Sequence, residues 1–117
     1  MKTKVLVCGG RDYDNQENVS YSLTLFHTGT RTIDMIIEGG AKGADRCGRE
    51  WAKLFGIHFA TVPALWDYYQ KRSGHLRNEA MLWLLPDYCV AFPGESGTRS
   101  MIDLCKAAGI PVWEPYS

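Results

Sequence analysis

The sequence predicts an α/β fold, a three-layer α/β/α arrangement with helices on both faces of a mostly parallel five-stranded sheet. Three observations carry that expectation. Short apolar runs alternate with stretches of helical periodicity along the chain, and the runs stop at glycine, proline or polar clusters. Three of the strand-to-helix handovers are also glycine-rich: Cys8-Gly9-Gly10-Arg11-Asp12, Glu38-Gly39-Gly40-Ala41-Lys42-Gly43-Ala44-Asp45 and Pro93-Gly94-Glu95-Ser96-Gly97-Thr98. Right-handed crossovers with short turns leave few alternatives to an open parallel sheet, for which the strand order 3-2-1-4-5 is expected.

The elements follow in order. Val5-Leu6-Val7, closed by Gly-Gly, has the form of a central parallel strand covered on both faces. Asp14 and Glu17 make a capping-box-like pair, and Val19, Leu23 and Phe26 recur at helical spacing before Gly29. Ile33 to Ile37 reads as the second strand, after which Cys47, Trp51, Leu54 and Phe55 line one face of a helix ending at Gly56. His58 to Val62 is the third strand. Pro63 to Ser73 is a longer, aromatic-rich connection of the kind that serves as a lid. Leu76, Ala80, Trp83 and Leu84 then share a helical face, Pro86-Asp87 punctuates, and Tyr88 to Phe92 is the fourth strand. A last helix turns Met101, Ile102, Cys105 and Ala108 inward before Gly109, and Pro111-Val112-Trp113 forms an edge strand, where proline is tolerated.

The chain's 117 residues fit one domain, 1–117, and a compact fold of this size buries roughly two-thirds of its unfolded surface without staples. Thirteen basic residues balance thirteen acidic ones, which argues against a dedicated nucleic-acid binder. Cys8, Cys47, Cys89 and Cys105 form no CxxC pair and sit in apolar stretches, so they read as core thiols rather than as a disulfide or metal set. The N-terminal apolar run is too short for a signal peptide or a membrane span, and a cytoplasmic protein with no membrane contact is expected.

Glycine lets backbone N–H groups approach phosphate oxygens, and a following helix adds unpaired N–H groups and partial positive charge. In a 3-2-1-4-5 sheet the ligand crevice opens where the order reverses, between strands one and four, beside Gly9-Gly10 and Pro93 to Thr98. Candidate ligand contacts are therefore Gly9, Gly10, Arg11, Gly39, Gly40, Ala41, Gly43, Asp45, Arg77, Asn78, Pro93, Gly94, Glu95, Ser96, Gly97 and Thr98. Each has a structural counterpart. The glycines also allow tight turns, Arg11 either clamps phosphate or pairs with a carboxylate, and Lys42 is also read as a solvated loop charge. Asp45 either stabilises a helix dipole or meets a ribose hydroxyl. Arg77 and Asn78 fall on the first turn of the third helix, and Thr98 reads as an N-cap compatible with phosphate contact. Trp66 is a base-stacking candidate, alongside Tyr68 and Tyr69, which equally suit packing on the domain. His27 and His58 read as structural, and His75 lies near the proposed site.

Several of these residues carry a resemblance. Val7-Cys8-Gly9-Gly10-Arg11-Asp12, the Gly-Gly-Ala-x-Gly-Ala-Asp run at Gly39 to Asp45, Pro63-Ala64-x-Trp66, Arg77-Asn78-x-x-Met81 and Phe92-Pro93-Gly94 together resemble the YspA-type branch of the SLOG superfamily. That superfamily joins DprA/Smf DNA-processing proteins with the LOG phosphoribohydrolases. The resemblance implies a Rossmann-like domain that binds a nucleotide or nucleotide-derived phosphoribosyl compound.

Arg77 is similar in setting to the arginine of the LOG Arg-Lys-x-x-Met element, and Pro93, Gly94, Gly97 and Thr98 to the LOG Pro-Gly-Gly-x-Gly-Thr-x-x-Glu turn. This chain departs from that turn twice, with Glu95 at the second glycine and Met101 at the catalytic glutamate. N-glycosidic cleavage passes through an oxocarbenium-like state that needs a carboxylate. Met101 supplies none, and Asp103, a rotation of about 200° further on, faces away. Arg77 and Glu95 are the remaining catalytic candidates. The expected function is binding or sensing of a small nucleotide ligand, with no metal or other cofactor required. The alternatives are a LOG-like nucleoside monophosphate phosphoribohydrolase releasing free base, and DprA-like single-stranded DNA binding, which the zero net charge disfavours. A homo-oligomer is compatible with either.

Overall fold

The computed structural model describes residues 2–65 and 69–117. Five strands, β1 (Lys4–Cys8), β2 (Met35–Glu38), β3 (His58–Thr61), β4 (Tyr88–Ala91) and β5 (Val112–Trp113), form one sheet in the order 3-2-1-4-5. Every pairing is parallel: Leu6 lies level with Ile37 on one side and Cys89 on the other. The helices are α1 (Gln16–Gly29), α2 (Ala44–Leu54), α3 (Ser73–Leu82) and α4 (Ser96–Ala107), with a short 3-10 turn at Gln70–Arg72 before α3.

Strand alternation sorts the core into two layers. Val5 and Val7 point to the face where Val19, Leu23 and Phe26 of α1 meet Cys47, Trp51 and Ala52 of α2. Leu6 and Cys8 point to the opposite face, with Met81 of α3 and Met101, Ile102 and Cys105 of α4. The expected three-layer Rossmann-like α/β fold is therefore present, with α1 and α2 on one side and α3 and α4 on the other.

Several local expectations are corrected. Asn15, not Asp14, caps α1, its Oδ1 accepting the Asn18 N–H at 3.0 Å. Ile33 is buried ahead of β2 rather than in it, because its N–H donates to His27 Nδ1 at 2.9 Å. Leu54 is 81 % exposed and Phe55 44 %, so the buried stripe of α2 runs instead through Ala44, Cys47, Gly48, Trp51 and Ala52. Phe55 stacks on Trp51 from the helix end, with centroids 4.7 Å apart.

The inward face of α3 is also rotated from the one the apolar periodicity marks. Ser73, Asn78 and Met81 are its buried residues, whereas Ala80 is exposed and Trp83 is 83 % exposed. Two of those three are polar, and hydrophobic periodicity does not register them. The helix starts at Ser73, whose hydroxyl donates to the Leu65 carbonyl at 2.9 Å. Arg77 and Asn78 consequently sit in its second turn rather than its first. Ala108 is exposed beyond the end of α4, and Glu95 rather than Thr98 is the N-cap residue of that helix.

Candidate functional site

All three glycine turns lie at the carboxyl edge of the sheet, and Gly10 joins them. Its N–H donates to the Pro93 carbonyl at 2.9 Å, while its own carbonyl accepts from Ala44, the first residue of α2, at 3.3 Å and from Tyr13 at 3.1 Å. The glycines permit this backbone packing. A Cβ on Gly10 would lie 2.9 Å from the Pro93 oxygen, and one on Gly43, where φ is +77°, would lie 2.3 Å from the Gly10 oxygen.

The turn after β2 is closed by the protein's own carboxylates. Asp45 Oδ2 accepts the N–H groups of Gly39 at 3.1 Å and Ala41 at 3.2 Å, and Glu38 Oε1 accepts that of Gly40 at 2.7 Å. These three donors, expected to face phosphate, are thereby already paired with anionic oxygens. Glu38 is fully buried, takes the Thr61 hydroxyl on its other oxygen and lies 3.8 Å from Arg49. Burial pushes the Asp45 carboxyl up to about 6; nearby Glu38 adds to the rise, while the Ala41 and Gly39 N–H bonds and the Arg77 charge oppose it.

Arg77 crosses from α3 to this turn. Its Nη1 donates to the Gly39 carbonyl at 2.6 Å and its Nε to Asn78 Oδ1 at 2.9 Å, and Asn78 Nδ2 reaches toward the Gly97 carbonyl of α4 at 3.5 Å. A polar chain thus runs from Asp45 through Gly39, Arg77 and Asn78 to the first turn of α4. No side chain caps that turn. The N–H groups of Ser96, Gly97 and Thr98 precede the first intrahelical donor, Arg99, whose N–H bonds the Glu95 carbonyl at 3.0 Å.

These elements enclose a cleft of about 1140 Å³. Gly9, Gly10 and Arg11 line it from the first turn; Gly39, Gly40, Ala41, Lys42 and Asp45 from the second; Arg77 and Asn78 from α3; and Pro93 to Thr98 from the third turn. Gly43 is buried beneath the cleft and does not line it. Arg11 is exposed at the rim and makes no ion pair among the described residues. His75, also on the rim, contacts Glu79 at 2.7 Å. Cys8, Met81 and Met101 form a buried, apolar floor. Trp66 and Tyr68 lie outside the described residues.

Residues 3–69 match the sequence profile of the YspA, cpYpsA-related SLOG family. A second similarity spans nearly the whole chain: "Gene 61 protein" of Mycobacterium phage D29 is 34 % identical over 119 residues, covering 93 % of this chain and 93 % of its own length. The chain belongs to the YspA, cpYpsA-related SLOG family. No solved structure matches it.

Within this SLOG chain, the position similar to the LOG glutamate is Met101, 1 % exposed in the cleft floor, and Asp103 is exposed and outside the cleft. Two cleft features were not singled out from sequence. Glu38 shapes the β2 turn, and its signal was a charged residue ending an otherwise apolar strand. Tyr13 lines the cleft wall stacked on Phe92, with centroids 5.7 Å apart, and its hydroxyl accepts from Asn18 Nδ2 at 3.0 Å. The four cysteines are buried and free, as expected. Among the described residues, no helix is long and apolar enough to cross a membrane.

Proposed function

We propose that this chain is a single binding domain, 1–117, for a nucleotide or nucleotide-derived phosphoribosyl ligand, which lies along the cleft with its phosphate at the N-terminus of α4. The observation that carries this reading is the contrast between the glycine turn before α2 and the start of α4. The donors ahead of α2 are paired with Asp45 and Glu38, whereas the first turn of α4 presents backbone N–H groups without a side-chain cap, beside the hydroxyls of Ser96 and Thr98. Helix N-termini of this kind favour anions. Arg11 and Lys42 at the rim add positive charge, and family membership favours a nucleotide over other anions.

The test is thermal unfolding against nucleoside mono-, di- and triphosphates, ADP-ribose, NAD and cyclic nucleotides. A ligand at about 100 times its dissociation constant adds roughly 2.7 kcal/mol, several degrees for a domain of this size. A selective shift that Arg77→Ala reduces supports the proposal. No shift across the panel overturns it.

One observation favours a second reading, hydrolysis of a nucleoside monophosphate to free base. The carboxylate missing at Met101 has a counterpart in Asp45, which lines the cleft and titrates at about 6. Release of base that survives in Asp45→Asn would exclude Asp45 from that role.

A further inference from the structure

Asp45 is 6 % exposed, and both of its hydrogen bonds fall on Oδ2. Oδ1 has no partner among the described residues, yet no buried side-chain oxygen or nitrogen among them is left unpaired. Oδ1 therefore keeps some of that exposure, and Asp45 lines the cleft. Arg77 is arranged in a complementary way. Nη1 is held by Gly39 and Nε by Asn78, which leaves the two Nη2 donors without a partner among the described residues, on a side chain that lines the cleft. A Cβ on Gly39 would meet Arg77 Nη1 at 2.5 Å and Asp45 Oδ2 at 2.9 Å, so the two side chains flank the same backbone atom.

An anionic acceptor beside a cationic donor excludes most simple partners. A metal ion or an ammonium group would satisfy Asp45 but be repelled by Arg77; a phosphate or carboxylate would satisfy Arg77 but be repelled by Asp45. Two adjacent hydroxyls suit both, one donating to Asp45 Oδ1 and the other accepting from Arg77. The polar chain through Asn78 to Gly97 connects this pair to the first turn of α4, and both line the same cleft. We propose that Asp45 and Arg77 read a vicinal diol, so that the cleft selects ribonucleotides over their 2′-deoxy counterparts. This rests on the nucleotide-binding proposal above and adds which sugar is accepted.

The test is calorimetric titration of the four ribonucleoside 5′-monophosphates and their four 2′-deoxy counterparts into the wild-type protein and Asp45→Asn. The asparagine carbonyl still accepts from Gly39 and Ala41 but offers no anionic acceptor to the ligand, and thermal unfolding checks that the variant folds. The expected result is that at least one ribonucleotide binds roughly 10- to 100-fold tighter than its 2′-deoxy partner, the range of one charge-assisted hydrogen bond. That ratio should fall below about threefold in Asp45→Asn. Since each pair shares a base, recognition of the base edge leaves the ratio near one. Equal or tighter binding of the deoxy compound overturns the diol reading and leaves nucleotide binding standing, and an unchanged ratio in Asp45→Asn removes the assignment to Asp45. Failure of all eight compounds to bind overturns the diol reading for monophosphates, and the nucleotide-binding proposal then stands or falls on the wider unfolding panel.

Discussion

The N–H of Gly10 donates to the carbonyl of Pro93 at 2.9 Å, joining backbone to backbone the two turns that flank the point where the sheet order reverses. The mouth of the cleft is thus held by a contact that admits almost no side chain.

Gly10 and Gly97 should respond oppositely to alanine. At Gly10 the new Cβ lies 2.9 Å from the Pro93 oxygen and 3.2 Å from the Gly94 Cα, so Gly10→Ala should destabilise by about 1–3 kcal/mol. At Gly97 nothing lies within 4 Å of the new Cβ. There, in the first turn of α4, alanine should leave stability unchanged or raise it by up to about 1 kcal/mol while crowding the proposed phosphate position. Urea unfolding and nucleotide titration of both variants check this; a Gly97→Ala protein that binds as tightly as wild type would move the phosphate elsewhere.

Asp45 should give stability an unusual pH dependence. Its carboxyl titrates at about 6 in the fold, against a reference value of 3.8. The folded state therefore holds this proton more tightly, and the contribution is fully present below 3.8 and is lost as pH rises through about 6. The loss is on the order of 2–3 kcal/mol. Urea unfolding of wild type and Asp45→Asn between pH 4 and 7 should show the difference between them narrowing or reversing across that window, and parallel curves would exclude Asp45 as the source.

Glu38 should be as important to the β2 turn as any apolar core residue. Glu38→Ala removes the acceptor of the Gly40 N–H and the Thr61 hydroxyl, both on exposed residues that water reaches, and leaves a void at a fully buried position, so the cost of about 2–4 kcal/mol falls mainly on the void. Glu38→Gln keeps an acceptor for Gly40 and should recover more than half of that loss. Chemical denaturation of the two variants measures both, and an alanine variant within about 0.5 kcal/mol of wild type would contradict the assignment.

The cysteines should be silent in the native protein. All four are buried and free; Cys89 is pushed well above the usual thiol range by its hydrogen bonds to Cys105 and Cys8 and by burial, Cys47 is pushed up chiefly by burial, and Cys105, lowered by its hydrogen bond with Cys89, has no exposed surface. An aromatic disulfide reagent at pH 8 should therefore titrate almost no thiol in minutes, and four after denaturation. Rapid native reaction of Cys8, at the cleft floor, would mean that the floor opens.

Alternating apolar runs and glycine turns determined the layer architecture, and the expected strand order 3-2-1-4-5 is the one observed. Burial of Val5 to Val7 on both faces and the stopping power of Gly9-Gly10 are local properties, and they read directly from the chain. The residues around the cleft were likewise legible, since strand-end turns in a parallel sheet all fall on one edge. Tertiary structure decided what those residues do. The Gly39 to Ala41 N–H groups point at carboxylates rather than outward because Glu38 and Asp45, close in sequence, fold back over the turn, and a glycine pattern carries no record of which acceptor its amides meet. The inward face of α3 depended on Ser73, Asn78 and Arg77 finding partners 8, 19 and 38 residues away. Hydrophobic periodicity records the transfer of apolar groups from water, whereas a polar side chain is buried only where a distant partner satisfies it, and that partner exists only once the chain has folded.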